Sequence, residues 1–272
     1  MQIDLYKQGL KGVLDLEQCC ENKNIDAKRV THLNCSYNNF TELKGLDKLV
    51  NLKTLYCYYN ELSELDVTNL VNLESLNCRD NKLKELDVSK LVNLEWLYCK
   101  YNKLTELDVN NLVNLEYLYC HDNKLTEIKG LDKLVNLNTL YCHYNYLTEL
   151  DLSNLVNLME LECHNNQLTK LDLSNLVNLK WLECYINQLT ELDLSNLVNL
   201  TELRCYSNKL TEIKGLDKLV NLRRLECDDN NLTELKGLDK LFNLERLHCD
   251  NNNLTKLDVS KLFKLKEIKT KI

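Results

Sequence analysis

The sequence contains no proline, and alanine occurs once, at Ala27. Turns must therefore rest on asparagine, glycine, aspartate and serine. No run of about 18 apolar residues occurs, which excludes a hydrophobic membrane-spanning helix. The N-terminal stretch Met-Gln-Ile-Asp-Leu-Tyr-Lys lacks the apolar centre of a secretory signal. The expected compartment is cytoplasmic if this N-terminus is native, and secreted if a signal has been removed. Positive charge is in deficit, with 34 Lys and Arg against 41 Asp and Glu and a net charge of −7. That removes the basic field a nucleic-acid partner would require. G-x-S-x-G, G-x-x-x-x-G-K-[ST] and H-E-x-x-H are all missing. Neither catalysis nor a cofactor is expected. Catalysis needs unlike groups placed once, and this chain places like groups many times.

What the chain does contain is a repeated frame. L-x-x-L-x-C-x-x-N recurs eleven times, from Val30–Asn38 to Leu244–Asn252, and Leu115–Asn123 (L-E-Y-L-Y-C-H-D-N) is representative. Coils begin at Val30, Leu52, Leu73, Leu94, Leu115, Leu137, Leu158, Leu179, Leu200, Leu222 and Leu244. Most are 21 residues long; the four with K-G-L-D-K-L, at Gly45, Gly130, Gly215 and Gly237, are 22. The first three of these coils start 85 residues apart (30, 115, 200), so a four-coil unit has been duplicated. The expected organisation is an N-terminal cap at 1–29, eleven coils at 30–264 and a truncated coil at 265–272. In the cap, Val13, Leu14 and Leu16–Cys20 suit one face of a short helix. A stack of coils needs such an end piece to cover its first layer.

Within a coil, the alternation around frame position four predicts a short strand. Positions one, four and six point inward and positions three and five outward. One coil cannot bury its leucines, whereas parallel stacking about 4.8 Å apart can. Asparagine at position nine, invariant from Asn38 to Asn252, is suited to pair backbone groups where the chain leaves the strand. The second regular asparagine (Asn51, Asn72, Asn93, onward to Asn243) is expected to do similar turn work, with Lys264 in its place in the last coil.

The frame L-x-x-L-x-C-x-x-N-x-L-T-E-L-D resembles a leucine-rich repeat. The 22-residue form with K-G-L-D-K-L is similar to the internalin class, and the 21-residue form with Cys at position six to the cysteine-ladder repeats of internalin J-like proteins. The resemblance covers residues 30–272. It implies an α/β-type solenoid, a horseshoe whose concave parallel sheet holds about 11–12 strands. The convex side would carry turns and short 3-10 or extended segments. It also implies that the concave face binds a partner, as in internalins that engage host surface proteins.

Eleven of the thirteen cysteines occupy position six; Cys19 and Cys20 lie in the cap. Beside leucines, a thiol acts as a small hydrophobe. Disulfides and thiolate metal sites are the competing readings. Reduced core thiols are favoured, because neighbouring side chains run side by side, eleven is odd, and C-x-x-C is absent.

The variable positions hold the distinctive chemistry. Thirteen of fourteen tyrosines lie at positions 3, 5, 7, 8 or 10, only Tyr6 falling outside the coils, and both tryptophans lie at position three. Stacking would align them as an aromatic strip, with charge (Arg204, Arg223, Arg224, Arg246 among Glu202, Glu226, Asp228, Asp229 and Asp250) in the later coils. The candidate partner-binding residues are Tyr56, Tyr58, Tyr59, Trp96, Tyr98, Tyr101, Tyr117, Tyr119, His121, Tyr141, His143, Tyr144, Trp181 and Tyr185. Large, stiff aromatics dominate binding hot spots, although they also suit strands for packing reasons. The charged columns are expected to hold mutual ion pairs.

His121, His143 and His164 share position seven in consecutive coils. They could take zinc or copper or respond to protonation; the plainer reading is exposed polar strand residues, with no metal. The leading function is binding of a protein or peptide through the aromatic face. A structural spacer, self-associating through its C-terminal edge, is the alternative. Carbohydrate stacking on the aromatic strip is the weaker one.

Overall fold

The computed structural model describes residues 1–271, which form two compact units, Met1–Leu137 and Asn138–Ile272. In the first unit, six three-residue strands lie parallel in the order Gln2–Asp4, His32–Asn34, Thr54–Tyr56, Ser75–Asn77, Trp96–Tyr98 and Tyr117–Tyr119. Their register aligns Ile3, Leu33, Leu55, Leu76, Leu97 and Leu118 in one buried row. The second unit repeats the arrangement with seven strands: Thr139–Tyr141, Glu160–Glu162, Trp181–Glu183, Glu202–Arg204, Arg224–Glu226, Arg246–His248 and Glu267–Lys269. Its row runs from Leu140 through Leu161, Leu182, Leu203, Leu225 and Leu247 to Ile268, the last largely exposed. Each fully buried leucine contributes about 1.5–3 kcal/mol relative to its exposed state. No single coil could collect that burial.

The strands stop after position five because the chain turns where position-nine asparagine waits. In a typical coil, Asn81 Nδ2 donates to its own Cys78 carbonyl (3.1 Å) and to Cys57 of the coil before (3.0 Å). Its Oδ1 accepts from Leu62 N (3.0 Å). Asn123 does the same with Cys120, Cys99 and Leu104, and Asn187 with Cys184, Cys163 and Leu168. The amide thus satisfies buried backbone groups of two coils at once. The second asparagine forms an outer ladder: Asn72 donates to Val50 O (2.9 Å), Asn93 to Val71 O, Asn178 to Val156 O. Lys264 Nζ donates to Asn243 Oδ1 instead.

Coil length is settled by turn chemistry on the side away from the strands. In 21-residue coils, aspartate closes a two-residue turn: Asp87 Oδ1 accepts from Ser89 N (3.0 Å) and Oγ (2.6 Å), and Asp193 from Ser195 likewise. In 22-residue coils, glycine at positive φ starts a 3-10 turn, as in Leu131–Lys133 and Leu216–Lys218. Gly130 has φ 77°, and a Cβ there would lie 2.5 Å from Asn110 Cα, so both conformation and space require glycine. Short two-stranded pairs also form on this side, Glu106–Asp108 with Glu127–Lys129 in the first unit and Glu191–Asp193 with Glu212–Lys214 in the second.

The first 29 residues do more than form one helical face. Leu16–Asn22 is helical, capped by Asp15, whose side chain accepts from Gln18 N, and it buries Leu16 and Cys20. Val13 is not on this helix. It sits exposed in the strand Lys11–Asp15, which pairs with Asn39–Lys44. Gln2–Asp4 adds a strand to the main sheet of its unit. That strand and the terminal Glu267–Lys269 bring the strand count to six and seven in the two units, beyond the eleven to twelve expected. All thirteen cysteines are free thiols, the eleven of the frame buried. Burial pushes Cys35, Cys78, Cys120 and Cys184 up to about 12, so these thiols are protonated and act as hydrophobes.

Candidate partner-binding face

The outward side of each sheet is built from positions three and five, and its rim from positions seven and eight. Parallel in-register strands set each residue directly beside its counterpart in the next coil. In the first unit this pairs Trp96 with Tyr117 (6.1 Å between rings, 14° apart) and Tyr98 with Tyr119 (4.7 Å, 10°). These four rings are half-buried and stacked, an arrangement of aromatic pairs that adds about 0.5–1.5 kcal/mol beyond burial. Nearer the N-terminus, Tyr37 stacks on Tyr59 (4.5 Å) and meets Tyr58 edge-on (5.4 Å). Tyr6 closes on Tyr37 (5.4 Å), Tyr56 approaches Tyr58 (6.3 Å), and the Arg79 guanidinium lies over both Tyr58 (5.0 Å) and Tyr59 (5.2 Å). Tyr6 and Tyr37 were not among the expected binding residues. Tyr37 occupies the same position eight as Tyr59 and could have been included on that ground; no sequence signal marks Tyr6.

Position eight carries the clearest backbone signature. In every coil its residue has positive φ, between 50° and 54°. Asp80, Asp122, Asp229, Asn165 and Asn251 suit this left-handed conformation. Tyr37, Tyr59, Tyr101 and Tyr144 do not, and neither does Ile186. All four tyrosines are exposed, Tyr59 at 40%, Tyr101 at 47% and Tyr144 at 51%.

In the second unit the rim forms a stack. His143 lies on His164 (4.3 Å, 16°), His164 on Tyr185 (4.0 Å, 10°) and Tyr185 on Tyr206 (4.3 Å, 11°). Tyr206 is a further member not anticipated. Tyr141 is half-buried, its hydroxyl donating to Glu160 (2.6 Å). Trp181 is also half-buried; its Nε1 donates to Glu183 (3.0 Å), and Arg204 lies 5.4 Å from its ring. The later strands carry ion pairs across adjacent coils: Arg204–Glu183 (2.7 Å), Arg204–Glu226 (3.7 Å) and Arg246–Glu267 (2.8 Å). Glu183 is 5% exposed. Burial raises its pKa, and Arg204 beside it works the other way.

Position seven is not the open polar position expected of it. His121 is 5% and His164 4% exposed, because past position six the chain bends and neighbouring rings and turns cover the side chain. His121 Nδ1 is 2.9 Å from Asp122 Oδ2, and the Tyr101 ring meets it edge-on at 5.4 Å. Burial, with Lys100 adding to it, pushes its pKa down to about 3, so the imidazole is neutral near pH 7 and Nδ1–H donates to the carboxylate. His121 therefore supports Tyr101 from beneath rather than presenting itself to a partner.

The outward side of each sheet is a surface of side chains. A surface hollow of about 510 Å³, lined by Ser63, Asp66, Thr68, Lys84 and Asp87, lies instead among turns away from the strands. Among the described residues, no helix is long and apolar enough to cross a membrane.

A family model described as Leucine Rich repeats (2 copies) matches residues 28–70, 50–91, 92–133, 113–154 and 198–240. No curated protein sequence matches the chain. Among solved structures, the functional domain of internalin J from Listeria monocytogenes, which includes a cysteine ladder, is 38% identical, with a TM-score of 0.86 over 90% of this chain. The match covers 54% of that domain, so this chain spans about half its length. An internalin (inlF) from the same organism is 25% identical over 89% of this chain and 80% of its own, with a TM-score of 0.73. The PEPR1–AtPEP1 structure is 25% identical over 98% of this chain and 40% of its own, with a TM-score of 0.85.

Proposed function

The chain belongs to the leucine-rich repeat family, and from that premise we propose that it is an interaction module. It binds a protein or peptide through the aromatic residues on the outward side of its strands. One observation carries this reading. Four exposed tyrosines stand at position eight in a left-handed conformation that Asn and Asp fill comfortably in other coils. Such a conformation costs a bulky side chain on the order of 1–3 kcal/mol. Contacts within the chain (Tyr37 with Tyr59, Tyr101 with His121, Tyr144 with His164) use part of each ring, and the exposed remainder is what a partner would meet. Two further points support the reading: the frame leaves the rings stacked and stiff, which lowers the entropy lost on binding, and the similar PEPR1 chain is paired with AtPEP1.

The test is an affinity capture comparing wild type with the variant Tyr37→Asn/Tyr59→Asn/Tyr101→Asn/Tyr144→Asn. A second variant alters the exposed turn side instead, at Lys84→Ala/Glu85→Ala. The expected result is loss of captured partners in the first and retention in the second. Equal recovery by all three proteins would sink the proposal. Retained binding to a glycan panel with no protein captured would assign the face to carbohydrate instead.

A further inference from the structure

Within the second unit, three side chains converge in a way that partner binding through tyrosines does not require. His143 and His164 hold position seven of successive coils, and Glu162 holds position five of the coil that carries His164. Each offers one ligand atom, and the three atoms lie within 4.8 Å of one another. Glu162 Oε2 stands 3.3 Å from His143 Nδ1 and 3.9 Å from His164 Nε2. One carboxylate oxygen is thus shared between two imidazole nitrogens. The same Nε2 also has Tyr185 Oη at 3.2 Å and Glu183 Oε2 at 3.9 Å, while the other ring nitrogen, Nδ1, has Asn165 Nδ2 at 3.0 Å. Glu183 is committed elsewhere, its other oxygen taking Arg204 at 2.7 Å and Trp181 at 3.0 Å.

We propose that His143, Glu162 and His164 form a site for a divalent transition metal, with Zn²⁺ the best-suited occupant. Two imidazoles and one carboxylate make a donor set that zinc takes with an open fourth position, whereas calcium and magnesium prefer all-oxygen ligands. Ligands about 2.0–2.1 Å from a tetrahedral ion stand about 3.3 Å apart. The His143–Glu162 edge already meets that spacing, and the His164–Glu162 edge needs to close by about half an ångström. Tyr185, stacked on His164 at 4.0 Å, holds the plane of that ring. His143, stacked on His164 at 4.3 Å and 16°, has to turn out of the stack so that both in-plane lone pairs reach one ion. Glu162 and His143 keep 19% and 12% of their side-chain surface exposed, and it is on this outward side that a fourth position would open. A water there could be exchanged for a ligand atom of a bound partner. The site stands independently of the aromatic face, since metal binding is measured without any partner.

The experiment titrates Co²⁺ into the reduced chain of residues 1–272 and follows its visible and near-ultraviolet spectrum, with Zn²⁺ as competitor. The expected result is one Co²⁺ per chain, displaced by Zn²⁺, with ligand-field bands and no intense thiolate-to-cobalt band. Glu162→Gln and His143→Gln should each weaken binding at least tenfold, while His248→Gln leaves it unchanged. Far-ultraviolet circular dichroism checks that the variants fold. Should either fail to fold, hyperfine-shifted proton resonances from two imidazoles in the wild-type Co²⁺ protein carry the test. A thiolate band, absence of Co²⁺ binding to the wild type, or folded variants that bind as tightly as wild type would each overturn the assignment.

Discussion

The two units share one frame and differ in what they place on it. In residues 1–137 the outward columns are aromatic: Trp96 on Tyr117, Tyr98 on Tyr119, Tyr37 on Tyr59. In residues 138–272 the aromatic stack ends at Tyr206, and the strand columns become ionic. Position five there starts at Tyr141 and then reads Glu162, Glu183, Arg204, Glu226, His248 and Lys269. Parallel, in-register stacking forces each side chain against its own counterpart. Like rings gain from that placement; like charges lose by it. The position-five column sets Glu162 beside Glu183 but then places Arg204 between Glu183 and Glu226, and His248 pairs with Glu226 in that column and with Glu267 of position three. The frame thus constrains the chemistry of a column without choosing it.

If the frame is common, breaking it should cost the same in either unit. Asn123→Ala and Asn187→Ala each remove an amide that bonds three carbonyls and one N–H. At about 1–3 kcal/mol per buried unsatisfied group, each should destabilise by several kcal/mol in urea denaturation. Clearly unequal losses would mean that the two units do not rest on the same support.

A smaller effect sharpens the contrast at the rim, where His121 of the first unit is held neutral. Its folded pKa is depressed to about 3, and its unfolded value is near 6.5. Between these limits the unfolded chain binds the extra proton. This contribution to stability is therefore complete above about pH 6.5 and is lost as pH falls towards 3, at no more than about 1.4 kcal/mol per pH unit. Denaturation midpoints of wild type and His121→Gln, measured from pH 7 to pH 4, should differ in slope by up to one proton. Parallel curves would show that His121 titrates normally.

The smallest effect separates function from stability at a single residue. Tyr101→Asn relieves the left-handed strain but removes the ring that lies over His121. The net gain in stability should be at most about 1 kcal/mol, accompanied by weaker partner capture. A variant that is both less stable and equally competent to bind would mean that Tyr101 is there to cover His121.

Much of this was legible because the determinants are local and repeated. The eleven coils, the inward Leu and Cys, and both asparagine ladders follow from period alone, and the two coil lengths from D-x-S and K-G-L turns. Position seven was not legible, since strand alternation holds only while the chain stays extended, and here it ends at position five. The left-handed position eight was readable in principle: Asp80, Asp122, Asn165, Asp229 and Asn251 share it, and Asx residues favour that region. Tyr37, Tyr59, Tyr101 and Tyr144 hold the same position without that preference, which masks the backbone signal in the sequence. Tyr6 and the strand Gln2–Asp4 lie outside the period, so no repetition announced them.

The position-nine asparagines also carry a mechanical consequence. Each amide clamps its own coil to the one before it and to no other, so a pulling force applied at the end of a unit meets its clamps in series. A coil that lets go frees roughly 21 residues, or about 70 Å of extended chain, before the next clamp takes the load. Stretched between its ends, a unit should pay out in even steps of that size, with the sequence period written directly into its force–extension trace.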